Sequence, residues 1–298
     1  MPIEQKPRKA CFFNDRSAYN HRYRQALINQ ITKDGYSVCS VGWSDRGSLG
    51  FCRSLTCFLS SDIRIVSNLK ATLLIMVLLP VTRALIVVNG LGRWRSSCFF
   101  RGLLLRLMRL NYRKVFAVQN YADYRYFKRH ARRLRVSWVP GSGGTCRQTG
   151  KQQHLVVVSR PEKFASATAS IERFAEVSHL PFEIIGLDSW SFAAEAQCTF
   201  RGYLEQADLF AYGAYFFQPK GYGEGIPHSL VDAVCSDMTV FMEKSDLVGF
   251  GFYKLNASYK DIWSGFVELE STSELRAKLH TEFVNIEYKK MIRSLFSS

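Results

Sequence analysis

The sequence has no Cys-x-x-Cys pair, and none of its eight cysteines stands with a histidine at the spacing of a zinc site. Zinc-finger and thioredoxin-type redox motifs are therefore excluded. Cys11, Cys39, Cys52, Cys57, Cys98, Cys146, Cys198 and Cys235 are scattered and read as mostly buried thiols of a reducing compartment. Long hydrophobic runs are also missing. The longest, Ala71 to Thr82, contains Pro80 and closes at Arg83, short of the about 20 residues needed to cross a bilayer. It is expected to form a core helix, with shallow insertion into a membrane surface as the minor alternative. Met1 to Lys9 is charged and has no apolar run behind it, so no signal peptide is expected. There is no internal repeat, low-complexity tract, Gly-rich Walker loop or RNP-like run.

Acidic residues are scarce in one half only. The 298 residues carry 40 Lys+Arg against 25 Asp+Glu, a net charge of +15. Residues 1–150 hold 26 basic and 6 acidic side chains, a net of +20, and the remainder carries −5. That asymmetry points to a polyanionic partner for the first half: nucleic acid, an anionic membrane or a phosphorylated substrate. The hydrophobic share of 47% and charged share of 22% are those of a globular chain. At about 150 residues per domain, the length suggests two domains.

The order of elements supports this. Ala10–Asn14 reads as a strand, Asp15–Arg22 as a polar loop and Tyr23–Lys33 as a helix with Leu27, Ile28 and Ile31 at helical spacing. Gly35 sits where a helix cap belongs, and Tyr36–Val41 alternates as a strand. This is a βαβ opening, hence a parallel sheet covered by helices. Further strands are expected at Ala84–Val88, Val115–Gln119 and Val136–Val139, with a basic amphipathic helix at Phe99–Leu110. Tyr121–Arg135 interleaves aromatics with cations; the expectation is a helix with aromatics inward and charges solvated. A linker is expected between Pro140 and Gln153, where the charge changes sign. The rhythm then resumes: strand His154–Ser159, helix Ala165–Val177, strand Phe182–Ile185, a strand region within Leu209–Phe217, helix Pro227–Val234, strand Met238–Met242 and one or two helices in Glu274–Phe296. The expected domains are 1–145 and 146–298, both doubly wound α/β, with the last helix packing back on the first.

The segment from Glu224 to Asp232 carries the chemistry. It sets two acids eight residues apart around Gly225-Ile226-Pro227, and Pro227 suits a helix start. Free amides at that start, with the helix dipole, suit a phosphate. Glu224 and Asp232 could accept hydrogen bonds from sugar and ribose hydroxyls. An ordinary helix with acids near its favourable end explains the same residues equally well.

Taken in order, several segments resemble the retaining GT-B glycosyltransferases of the glycosyltransferase 4 family, in particular bacterial members that build surface polysaccharides. These are Asn20-His21-Arg22 with Gly35-Tyr36-Ser37-Val38, Asn89-Gly90-Leu91-Gly92-Arg93, Val118 to Asp123, Pro140-Gly141-Ser142-Gly143, Val157 to Arg160, Thr199 to Gly202, Ala207 to Phe210, and Glu224 to Ala233 as an E-x7-E segment. The resemblance implies an α/β fold of GT-B type, two Rossmann-like domains facing across a cleft. It implies a hexosyltransferase-type enzyme that moves a sugar, with retention, from a nucleoside-diphosphate-sugar to a saccharide or lipid-linked acceptor in capsule, O-antigen or exopolysaccharide synthesis. Glu224 and Arg160 would be catalytic. Gly225, Ile226, Asp232, Lys163, Ser142 and Gly143 would bind the donor, and Arg22, His21, Asn89, Gly90 and Gly92 would line the acceptor side. His21 is the nearest candidate by position, but reads better as a loop or partly buried structural histidine. The second acid is Asp232 where the family has Glu, and Lys163 follows Arg160 by only three residues. No cofactor or metal is implied, and the nucleotide-sugar is a substrate. The expected location is cytoplasmic, peripheral on the inner face of the plasma membrane, with no nucleic acid bound. The alternatives are a catalytically silent, membrane-associated subunit of a polysaccharide assembly complex and a basic nucleic-acid-binding protein.

Overall fold

The computed structural model describes residues 8–45, 47–191, 197–205, 207–220, 225–263 and 265–297. These divide into two compact units. Unit 1 holds residues 8–142, Gly225 and 284–297; unit 2 holds 143–220 and 226–283, apart from the undescribed positions. The C-terminal residues join unit 1, so the division is not linear along the chain.

Unit 1 runs β1 (Lys9–Asn14), α1 (Ser17–Lys33), β2 (Ser37–Gly42), α2 (Gly47–Leu59), β3 (Ile63–Ser67), α3 (Leu69–Leu78), β4 (Leu85–Val88), α4 (Cys98–Leu110), β5 (Val115–Val118), α5 (Tyr121–His130) and β6 (Arg135–Trp138). Its six strands are all parallel, in the order β2-β1-β3-β4-β5-β6. The strands are short and nearly all apolar, as a sheet covered on both faces requires. Phe13, Val66, Ile86 and Phe116 pack on one face under α2 to α5. Phe12, Ile65, Leu85 and Ala117 pack on the other under α1 and the last helix.

Two differences from the expected elements stand out. Helix α1 starts at Ser17, not Tyr23, because its polar first turns are held by other means: the Ser17 amide donates to Asp45 Oδ2 (3.0 Å) and buried Asn20 donates to the Phe12 carbonyl (2.9 Å). Helix α2 was not expected. It brings Cys57 to Cys39 of β2, and the two are disulfide-bonded. The thiols expected to be mostly buried are not: outside that pair, Cys11 and Cys235 are buried, while Cys52, Cys98 and Cys146 are exposed. The apolar run from Ala71 becomes α3, with Ala71, Ile75 and Met76 buried. Tyr121 and Phe127 of α5 point inward, as expected.

Unit 2 runs β7 (Leu155–Val158), α6 (Pro161–Ser178), β8 (Phe182–Ile185), β9 (Cys198–Phe200), β10 (Tyr215–Gln218), α7 (His228–Cys235), β11 (Thr239–Glu243), α8 (Lys244–Phe250), β12 (Tyr259–Trp263), β13 (Phe266–Leu269) and α9 (Ser273–Leu279). The sheet order is β12-β13-β11-β10-β7-β8-β9. Strands β7 to β11 are parallel, and β12–β13 is an antiparallel hairpin on the edge. The hairpin escaped the sequence reading because β12 is mostly exposed and bulged at Asp261–Trp263, so it lacks alternation. The last helix, α10 (Thr281–Ser294), sends Val284, Tyr288, Met291 and Ile292 into the core of unit 1. Both units are Rossmann-like.

Candidate functional site

In an open parallel sheet, ligands bind beyond the carboxyl ends of the strands, where successive connections leave in opposite directions. Each unit has one such point. In unit 2, the chain goes from β7 outward through β8 and β9, then returns to the other side of β7 at β10 and continues to β11. The switch falls between β7 and β10, which are direct neighbours. The segment leaving β7 carries Arg160 and Lys163. The segment leaving β10 carries Gly225, Ile226 and Pro227. The topology therefore brings two segments 65 residues apart to one end of one strand pair.

Arg160 is the extended residue before α6, with Pro161 in the first turn, where a missing N–H costs nothing. Its side chain is exposed, and Lys163 is half-buried in the same first turn. Glu224 lies outside the described residues. Ile226 is buried, and Pro227 caps α7 rather than opening it.

Two expected donor contacts are already engaged. The Gly225 amide donates to the Asn89 carbonyl (2.7 Å), and a Cβ on Gly225 would stand 2.8 Å from Gln119 Cβ. Its glycine serves a close approach of protein to protein, where a ligand was expected. Asp232 is 6% exposed. Its Oδ1 accepts the Thr145 amide (2.9 Å) and its Oδ2 accepts Arg147 Nε (2.7 Å). Burial pushes its carboxyl above the usual aspartate range, against the pull of Thr145 and Arg147. Asp232 thus pins the segment after the junction to α7. Gly143 is also structural, since a Cβ there would meet Thr281 Cα at 2.5 Å and its φ is +85°. The Ser142 hydroxyl, expected at the donor, accepts instead from Arg24 and from Gln119 Nε2 (3.3 Å), all within unit 1.

In unit 1 the turn after β4 holds Asn89, Gly90 and Gly92 together. Gly90 and Gly92 have φ of 146° and 52°, which only glycine takes freely. Asp123 fastens this turn: Oδ2 accepts the Leu91 amide (3.0 Å), and Oδ1 faces Arg95 Nε at 3.6 Å. His21 and Arg22 lie elsewhere, on the exposed face of α1; His21 Nδ1 is 3.0 Å from Gln25 Oε1, one turn on. The residue of α1 that does reach the turn is Arg24, whose Nη2 donates to Asn89 Oδ1 (3.0 Å). Sequence reasoning missed it. The signal was present: the stripe Leu27, Ile28, Ile31, continued backwards at helical spacing, lands on Arg24 and Asn20.

Among the described residues, one group of cysteines could hold a metal by proximity: Cys11, Cys39 and Cys57, with sulfurs within 4.8 Å of one another. Two of these sulfurs are joined to each other. Among the described residues no helix is long and apolar enough to cross a membrane.

No known protein family matches the chain, and neither does any curated protein. Among solved structures, the glycosyltransferase SnogD from Streptomyces nogalater aligns with 97% of this chain and 95% of its own, at 11% identity and a TM-score of 0.38.

Proposed function

We propose that the protein is a glycosyltransferase that moves a sugar, with retention, from a nucleoside-diphosphate-sugar to a saccharide or lipid-linked acceptor in surface polysaccharide synthesis. The observation that carries this is the switch point of unit 2, flanked by the Arg160–Lys163 turn and the Ile226–Pro227 segment. A cationic first turn at that place suits a pyrophosphate. Arg160 and Lys163 oppose its charge, and opposition that grows as the leaving nucleoside diphosphate departs accelerates transfer. Glu224, next to Gly225 in sequence, accepts from a hydroxyl of the transferred sugar. A ribose contact by Asp232 competes with Arg147 for Oδ2. The acceptor is held on unit 1, near Asn89, Gly90 and Gly92. No metal is assigned a role.

Peripheral membrane attachment belongs to the same proposal. Phe99 is 82% exposed, and Leu103, Arg106 and Leu110 continue its outward stripe along α4, with Trp94 and Arg109 also exposed. An apolar stripe flanked by arginines suits an anionic lipid surface.

The silent-subunit reading has its own support in the engaged Gly225 amide and Asp232 carboxylate. Thermal shift against UDP-, GDP- and CMP-sugars tests the donor site. One nucleotide class is expected to raise Tm in the wild type and to fail with Arg160→Ala. Absence of any shift across the panel overturns the donor assignment.

A further inference from the structure

Arg24 is 3% exposed, and every interaction it makes among the described residues is with a neutral group. Its Nη1 donates to the Ser142 hydroxyl and to the Tyr23 carbonyl (3.1 Å), and its Nη2 to Asn89 Oδ1 (3.0 Å). Its guanidinium carbon lies 5.8 Å from the centre of the Tyr288 ring. Its Nε is buried with no acceptor. A guanidinium stays charged at any pH a protein survives, so this is a full positive charge out of water with no counter-charge among the described residues. Such a charge is among the costliest things a fold can carry when no anion meets it.

Its position suggests what meets it. Asn89, Gln119 and Ser142 follow β4, β5 and β6, so Arg24 reaches from α1, which leaves the sheet beside the β1–β3 switch point, to the carboxyl ends of the neighbouring strands. Asn89, the acceptor of Arg24 Nη2, is itself exposed to solvent. Gln119 Nε2 is committed to the Gly141 carbonyl (2.7 Å) and the Tyr288 hydroxyl (2.9 Å), which leaves Arg24 as the group with a spare donor. Arginine presents its N–H groups in a planar fork that matches an oxyanion.

We infer that Arg24 forms an oxyanion-binding site on unit 1, and that the ligand of this unit carries a phosphate or carboxylate. If the glycosyltransferase reading holds, the oxyanion is an acidic group of the acceptor; the site itself does not depend on that reading.

The test uses the full chain carrying Arg160→Ala and Lys163→Ala, which silences the cationic turn of unit 2. Calorimetric titration with inorganic phosphate and with glucuronate, against glucose as neutral control, reads the site. At least one anion is expected to bind, glucose is not, and Arg24→Met is expected to weaken anion binding at least tenfold. Arg24→Lys, which keeps the charge but not the fork, is expected to fall between. Binding of phosphate alone points to a phosphorylated ligand and of glucuronate alone to an acidic sugar; either supports the site. Without anion, Arg24→Met is expected to be at least as stable as its parent, since it removes an uncompensated charge. Anion binding unchanged in Arg24→Met overturns the inference, as does absence of binding by both anions. So does matching destabilisation by Arg24→Met and Glu224→Gln, which would make Glu224 the counter-charge. Donor binding by the wild type is read separately and is unaffected by any of these outcomes.

Discussion

Lys114 is fully buried, and its ammonium donates only to carbonyls, those of Leu79 (2.6 Å) and Pro80 (3.1 Å). Burial pulls its pKa down to about 8 from 10.5. Between those values the unfolded chain holds the extra proton, so the contribution of Lys114 to stability rises with pH across that window. Lys114→Met removes this dependence. The stability difference, wild type minus Lys114→Met, is expected to increase by about 2 kcal/mol from pH 8 to pH 10 in urea denaturation. A flat difference would show that Lys114 is solvated. Asp232 makes the opposite case at the same scale. Its raised pKa marks it as a poorly solvated carboxylate, yet it is the acceptor for Thr145 and Arg147. Asp232→Ala removes the acceptor of the Thr145 amide and of Arg147 Nε, and is expected to cost about 1–3 kcal/mol in the same assay. Neither residue's environment could be read from the sequence. A lysine and an aspartate in a linear pattern default to surface, and only the tertiary fold puts them inside. Arg24 differs, because the helical stripe that buries it was visible once α1 was allowed to start at Ser17.

At the scale of elements, the strands were legible because most are short apolar runs punctuated by turns: Phe182–Ile185 was expected as found, and β4, β5 and β7 differ by a residue at an end. Helix α2 was not legible, since Gly47 and Gly50, poor helix formers, stand in its first turn. The segment after β10 was read for its chemistry and proved to be held by packing as well. Gly225→Ala would push a methyl group into Gln119 Cβ and the Asn89 carbonyl, at 2.8 and 3.0 Å. It is expected to cost about 1–3 kcal/mol by thermal unfolding, with the turn after β4 losing its bond to the Gly225 amide. Helix α4 tests the membrane proposal. Phe99→Ser with Leu103→Ser is expected to reduce sedimentation with phosphatidylglycerol vesicles several-fold, and Arg106→Glu with Arg109→Glu to do the same at low salt only, because salt screens charge and not apolar burial. Equal binding of all variants would remove α4 from any membrane contact.

At the scale of the whole molecule, the two-domain α/β plan followed from length, the change of charge and the βα rhythm, and the structure has two Rossmann-like units with a switch point each. The return of residues 284–297 to unit 1, expected for the last helix, rests on the apolar face of α10, where Val284, Tyr288 and Met291 fall within seven residues. The candidate site was legible less completely. Arg160 and the segment before α7 were named from sequence, and topology brings their strands side by side. Ser142, Gly143, Gly225 and Asp232 are engaged in structural contacts, because the linear pattern gives residue types and not the partners that claim them first. The central claim is that the switch point of unit 2 holds a nucleoside diphosphate. The most direct measurement is calorimetric titration of the wild type and of Arg160→Ala with UDP, GDP and CDP and with the parent nucleosides. The account predicts that a diphosphate binds at least tenfold more tightly than its nucleoside and that Arg160→Ala abolishes that preference. Equal affinity for diphosphate and nucleoside, or a preference untouched by Arg160→Ala, would contradict it.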